Sequence, residues 1–446
     1  MHSPTTVMDL NGDYYLDILG QQPILNIYTQ ICLCFPVADA SSHSAIINTL
    51  TKGLERLSAS FPCVAGQVVN EGSGEGNTGV FKIKLLEKFP RLVVKDCRDD
   101  PSMPTMDDLR RANSPFSMLD ESVIAPRMTL PGSSGEVHQA MDMTGQGQII
   151  DLLSKACRGG QFTSEELSSG NLARHNLIPL LDHSYQPGSE LDHQIIKPTP
   201  SHSIPGDTID GSTTPSHPPP RCTWTYFTFN PASLTALKSH ATKSLPLSSG
   251  YVSTDDALSA FIWQSIMRAR LPRLDSTAEA TFTRAVDVRR YLDIPATYPG
   301  MVQNLRYHTY TVQKLVEEPL GRVASQLRSA VDHKTSHLAY DTRALATLLD
   351  RTPDKTGISL TATLDLSTDV MLSSWAKLDC YELDFNLGLG KPESVRRPQF
   401  VPVESLLYLM PKALDGEIAV ALCLRDEDME RLRSDEEFAK YGRYVG

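Results

Sequence analysis

His138-Gln139-Ala140-Met141-Asp142-Met143-Thr144-Gly145 sets an imidazole and a carboxylate four residues apart, followed by small residues and an amphipathic run. A histidine with a free ring nitrogen, beside an aspartate able to fix the surrounding loop, is the minimum equipment for deprotonating an alcohol near neutral pH. The pattern alone is weak, because the chain holds 12 histidines and a second match occurs at His337-Leu338-Ala339-Tyr340-Asp341. Company separates the two. Downstream of the second match comes a plain helical run (Ala344, Leu345, Leu348, Leu349), which reads as a solvated helix start. His333 and His337 stand one helical turn apart, but nothing nearby supplies a third metal ligand, so no metal site is expected.

With 446 residues, 40% of them hydrophobic, the chain can bury a large core and is expected to form two domains. A net charge of −11 argues against a nucleic-acid or anionic-membrane surface. The polar, acidic start is unlike a signal peptide, and no window reaches the roughly 18 apolar residues a membrane span needs. The 8 scattered cysteines read as buried free thiols in a reducing compartment. The expectation is a cytoplasmic protein.

Around the opening stretch the chain mixes strands and helices without strict alternation. Ile24 to Pro36 reads as a strand, and the run after Ser41-Ser42 as a helix carrying Ile46, Ile47, Leu50, Leu54 and Leu57 on one face. Val64 to Val69, Gly79 to Leu86 and Arg91 to Lys95 read as strands. Asp107 to Ala112 reads as a short helix, and Pro126 to Val137 as a loop. A helix is marked by Ile149 to Cys157. Lys197 to Arg221 is rich in Pro, Ser, Thr and Gly and reads as an extended crossover. Beyond it, Thr223 to Phe229 predicts a strand, Pro231 to Thr242 a helix, and Ser253-Thr254-Asp255-Asp256 the N-cap of another. Thr281 to Val288 predicts a strand, Lys314 to Val331 and Leu338 to Leu349 helices. Ser359 to Leu366, Val370 to Ala376, Leu406 to Pro411 and Glu417 to Leu424 read as strands, with a last helix from Asp426.

Far downstream of His138, Asp384-Phe385-Asn386-Leu387-Gly388-Leu389-Gly390-Lys391-Pro392 combines an acid, an aromatic and a glycine-rich turn. With His-x-x-x-Asp followed by this stretch, the sequence resembles the BAHD acyltransferases, whose second signature is Asp-Phe-Gly-[Trp/Phe]-Gly. The likeness is greatest to the fungal trichothecene 3-O-acetyltransferase branch. It extends through Leu54 to Gly66, Ser253 to Gln264, Leu372 to Trp375 and Lys391 to Pro398. In place of the second signature's first glycine stands Asn386, which tolerates a left-handed backbone.

The resemblance implies an α/β, two-domain fold of the chloramphenicol-acetyltransferase type with a channel between the halves: residues 1–196, a crossover over 197–221, and 222–446. It implies acetyl-CoA and a small-molecule alcohol as substrates, no metal, and a monomer. It makes His138 the general base and has Asp142 point away from the substrate to pair with Arg289. It gives Asp384 and Gly388 a structural role, and puts Ser253, Thr254 and Lys391 on the cofactor side. The implied activity is O-acetyl transfer to a hydroxyl of a fungal secondary metabolite, a trichothecene-like sesquiterpenoid or an alkaloid. One feature departs from the pattern. The family has two apolar strands before the histidine, for which Arg127 to Val137 leaves no room. An impaired family member or a truncated gene model is therefore the alternative.

Overall fold

The structure is a computed structural model, and it describes residues 12–38, 42–85, 90–130, 138–197, 220–247 and 250–446. Of the expected crossover, residues 198–219 lie outside this description, as do 131–137 of the loop before His138.

The first half contains β1 (Tyr14–Tyr15), β2 (Cys32–Cys34), α1 (His43–Ser60), β3 (Gly66–Glu71) and β4 (Val80–Leu85). Helices α2 (Met106–Ala112), α3 (Glu121–Ile124), α4 (Met143–Cys157) and α5 (Ser164–Gly170) follow. Strands β1, β4 and β3 make a small antiparallel sheet in that order. The second half begins with β5 (Cys222–Phe229), α6 (Pro231–Lys243), α7 (Thr254–Arg270), β6 (Glu279–Asp287) and β7 (Gln303–Thr311). Then come α8 (Val312–Glu317), α9 (Leu320–Ser329), α10 (Leu338–Arg351), β8 (Val370–Ser374), β9 (Ser394–Arg396), β10 (Leu406–Leu409), β11 (Ile418–Arg425) and α11 (Asp426–Ser434). The chain closes with α12 (Glu436–Ala439) and β12 (Arg443–Tyr444).

Seven strands form one mixed sheet in the order β12-β5-β11-β10-β8-β6-β7, with β8 parallel to both β6 and β10. Side chains alternate across it as strand geometry requires. Phe227 and Phe229 of β5, with Val420, Leu422 and Leu424 of β11, pack in one core cluster with residues of α6, α7, α9 and α11. Trp224, Tyr226, Ala421 and Cys423, the alternate positions, join a second cluster with Trp375 and with Met143, the first residue of α4. Thus the start of α4 is seated on the sheet face opposite the helical layer. Helix α7 is buried on nearly every side, and its buried polar residues find partners there, Asp256 with Arg284, Gln264 with the Leu315 carbonyl and Arg270 with Asp428. The two halves are stitched by β2 and β9, which pair antiparallel with Leu33 opposite Val395.

Several expectations need correction. Of Ile24 to Pro36 only Cys32–Cys34 is a strand, because only that piece meets a ladder partner, and Pro23–Leu25 is a 3₁₀ turn. Arg91 to Lys95 forms no strand, and Val93 and Val94 are exposed. Ser359 to Leu366 is a series of turns. The helix expected over Lys314 to Val331 breaks at Pro319, which caps α9. Strand β7 was not anticipated. Between Ile124 and His138 no strand occurs among the described residues.

Strand β7 places His308 beside two cations. His308 lies opposite Phe282, and the next same-face pair is Arg284 opposite Arg306. Burial, then Arg284 and Arg306, push the imidazole down to about 3. The unfolded chain regains the ordinary affinity near 6.5, so it binds the proton more readily than the fold does. Stability is therefore lost as pH falls below about 6.5, by up to about 2 kcal/mol at pH 5 from this residue. Urea melts at pH 7 and pH 5 should show His308→Gln losing less stability than the parent over that interval. Equal losses in the two proteins would refute the assignment.

Candidate active site

Two backbone features position the opening stretch. His138–Ala140 forms a single 3₁₀ turn, and α4 starts at Met143 with Asp142, four residues after the histidine, as its N-cap. The cap arises because a short carboxylate can accept from an otherwise unpaired amide of the first helical turn. Asp142 Oδ1 accepts from the Gly145 amide at 2.8 Å. The carboxylate does more than cap. Arg289 donates through Nη1 to Oδ2 at 2.9 Å and through Nη2 to Oδ1 at 3.0 Å, a two-pronged pair spanning 147 residues. The Val302 amide donates to Oδ2 at 2.7 Å. Asp142 is 2% exposed and Arg289 1%.

Arg289 is itself fully engaged. Its Nε donates to the Tyr298 carbonyl at 2.9 Å, and Nη2 to the Gly300 carbonyl at 2.8 Å. Nη1 also reaches Asp287 at 2.9 Å. Burial pulls this guanidinium down, but Asp142 and Asp287 outweigh it and hold the group above its ordinary value. Gly145 has a steric reason: a Cβ there would lie 2.5 Å from the Pro299 carbonyl oxygen. The start of α4 is thereby clamped against Tyr298–Val302. Four donors saturate Asp142, so it cannot also act as the buried orienting acid of a Ser-His-Asp type of triad. The His138 backbone belongs to the described structure; its side chain lies outside it.

The other expected residues fall into two groups. The Ser154 hydroxyl and Arg158, at the far end of α4, donate to the Asp384 carbonyl at 2.9 and 2.6 Å. The 15 residues of α4 span about 22 Å, so the Asp384 turn stands remote from Asp142. Its own carboxylate accepts from the Asn386 amide at 2.8 Å. Asn386 and Gly388 have φ of 56° and 74°, so asparagine does adopt the left-handed conformation there. Lys391 is exposed and ion-paired with Glu382. Ser253 caps α7: its hydroxyl donates to Asp256 at 2.6 Å and accepts from Arg328 at 2.9 Å. Thr254 is the first residue of that helix. The next residue, Asp255, accepts from Ser374 at 2.6 Å, one position before Trp375 of the cluster that holds Met143. The second His-x-x-x-Asp match behaves as a helix start, with His337 at the N-cap of α10 and Asp341 paired to Arg306.

Five residues around the site escaped sequence reasoning. Arg174 donates to Asp17 at 3.0 Å and to the Ala140 carbonyl at 2.7 Å. Tyr298 donates to the same Asp17 carboxylate, and the Met301 amide does so at 2.9 Å. A Cβ on Gly300 would meet Asp17 Oδ2 at 2.3 Å. No local signal marks these residues, since the partners of Asp17 lie 157 and more positions away from it.

Comparison with known proteins fits this geometry. Residues 27–137 match the trichothecene 3-O-acetyltransferase-like N-terminal domain, and residues 138–439 match the transferase family. The chain belongs to the BAHD transferase family. This BAHD transferase is 58% identical to the O-acetyltransferase dmxR13 of a Cryptosporiopsis species, over 99% of this chain and 100% of that one. It is 52% identical to the trichothecene 3-O-acetyltransferase TRI101 of Fusarium sporotrichioides, over 100% of both. The crystal structure of F. sporotrichioides TRI101 complexed with coenzyme A and T-2 is similar with a TM-score of 0.89 and 51% identity, covering 97% of this chain and 100% of that one. Vinorine synthase, at 15% identity and a TM-score of 0.62, shares the fold. The α/β two-domain architecture is thus that of the BAHD transferases. Matches that run the full length of both partners leave the truncated-gene reading without support.

Proposed function

We propose that this BAHD transferase moves an acetyl group from acetyl-CoA to a hydroxyl of a fungal secondary metabolite, a trichothecene-like sesquiterpenoid or an alkaloid alcohol. The observation that carries the reading is the buried Asp142–Arg289 pair, which fixes the helix start four residues after His138. A rigidly held base is what general-base catalysis on an alcohol requires. His138 takes the hydroxyl proton as the oxygen bonds to the thioester carbonyl carbon. It returns that proton to the sulfur as the C–S bond breaks, so the base is regenerated. Acetyl-CoA, as substrate, supplies the activated acyl group. Holding both substrates at near-attack distance contributes much of the rate.

Asp142 and Arg289 act as positioning residues. Asp384 and Gly388 are structural, shaping the cofactor side far from the chemistry. Lys391, exposed and cationic, suits an anionic cofactor, and Ser253 and Thr254 at the start of α7 are read as cofactor-side residues as well. The division into residues 1–196, a crossover over 197–221 and 222–446 places His138 and the Asp384 turn on different domains of a cytoplasmic monomer.

The test is thiol release from acetyl-CoA by the purified chain, against a panel of sesquiterpenoid and alkaloid alcohols. Acceptor-dependent release, with acetylated product found by mass spectrometry, is expected. Well-folded protein that releases no thiol with any alcohol would favour the impaired member instead.

A further inference from the structure

The segment Tyr298–Val302 is bound by two buried ion pairs, and only one of them belongs to the His-x-x-x-Asp motif. On one side Arg289 takes the Tyr298 and Gly300 carbonyls while Val302 donates to Asp142. On the other side Tyr298 and the Met301 amide donate to Asp17. Asp17 is 2% exposed and Arg174 7%. Burial pushes the Asp17 carboxyl up, and Arg174, Tyr298 and the Met301 amide pull against it. Arg174 stays above its ordinary value despite burial, through Tyr298 and Asp17. Three donors converge on this one carboxylate, one of them the Arg174 guanidinium.

A pair needed only for packing could end there. Arg174 instead uses the same Nη1 to reach the Ala140 carbonyl at 2.7 Å, the last residue of the turn that carries His138. The middle residue of that turn is fixed too. Gln139 is fully buried, its amide donates to the Gln22 carbonyl at 3.3 Å, and its own carbonyl abuts Gly20, where a Cβ would sit 2.2 Å away. Arg289 secures the chain after Asp142, whereas Arg174 secures it before Asp142.

Resting on the reading of His138 as general base, we propose that Arg174, held by Asp17, is a second positioning residue that sets the His138 turn through the Ala140 carbonyl. Because it touches that carbonyl and no reacting atom, its loss should misplace the base without removing it. A misplacement of about 1 Å costs on the order of 100-fold in rate.

The experiment is a double-mutant cycle in the thiol-release assay, using the full chain. Arg174→Ala should lower kcat about 100-fold, with KM for acetyl-CoA and for the alcohol within about threefold of the parent. In a His138→Ala background the same change should cost less than about twofold, because no base is left to misplace. Arg174→Lys keeps the charge beside Asp17 but lacks the planar fork, and should recover about tenfold of the loss. It also serves if Arg174→Ala fails to fold. The proposal is overturned if the Arg174 loss adds in full to that of His138→Ala. It is equally overturned if kcat per folded molecule is unchanged while only the melting temperature falls. A His138→Ala protein as active as the parent would sink the general-base reading itself, which separates the two failures.

Discussion

His138→Ala is expected to lower kcat about 1000-fold, while KM for acetyl-CoA and for the alcohol changes less than about threefold. Thiol release under saturating substrates, with each KM measured separately, reads the effect. The reason for so large a drop is that, among the described residues, neither Asp142 nor Asp17 beside the turn is free to substitute as the base. Among the described residues the donors to the Asp142 carboxylate belong to Arg289, Gly145 and Val302, and they occupy it in a site 2% exposed. Asp17 is likewise consumed by Arg174, Tyr298 and Met301. The residual rate would come from holding the alcohol and thioester together, a contribution that survives loss of the base. A kcat within tenfold of the parent would show that the alcohol proton leaves by another route.

How much of this was legible beforehand follows from the range of each interaction. The α7 cap was readable because Ser253 and Asp256 lie three residues apart and form a reciprocal box within one turn. Strand β5 was readable from its unbroken aromatic and β-branched run, which ends up buried on both faces. By contrast β7 (Gln-Asn-Leu-Arg-Tyr-His-Thr-Tyr-Thr) carries polar residues that become acceptable only through partners elsewhere, such as Asp341 for Arg306 and Gln194 for Asn304. Ile24 to Pro36 failed in the opposite sense. Its composition favours a strand, but strand formation needs a ladder, and only Cys32–Cys34 finds one in residues some 360 positions away. The site divides in the same way. Its motif was local and visible. The Arg289 pairing came through family resemblance, and Asp17 with Arg174 through neither, because two buried charges distant in the chain leave no periodic trace.

Arg289→Ala is expected to destabilise the fold by about 3–5 kcal/mol, read as a shift of the urea unfolding midpoint at constant slope. The pair need not be worth that much by itself, since removing two charges from water nearly offsets their attraction. The cost arises from what is left behind. Without the guanidinium, Asp142 keeps, among the described residues, the Gly145 and Val302 amides, while the Tyr298 carbonyl loses its buried donor and the Gly300 carbonyl is left with the Asp142 amide at 3.3 Å. The helix start and the Tyr298–Val302 segment would then part to admit water, and activity would fall along with stability. Arg289→Lys should recover little, because one ammonium cannot serve a carboxylate in two-pronged fashion and two carbonyls at once. Combining Arg289→Ala with Asp142→Ala separates the terms. If the stranded carboxylate dominates, the double variant is more stable than Arg289→Ala alone by about 1–2 kcal/mol, yet no more active. A loss below about 1 kcal/mol for Arg289→Ala would mean that the Gly145 and Val302 amides suffice to stabilise Asp142, and that the guanidinium is dispensable to the placement of His138.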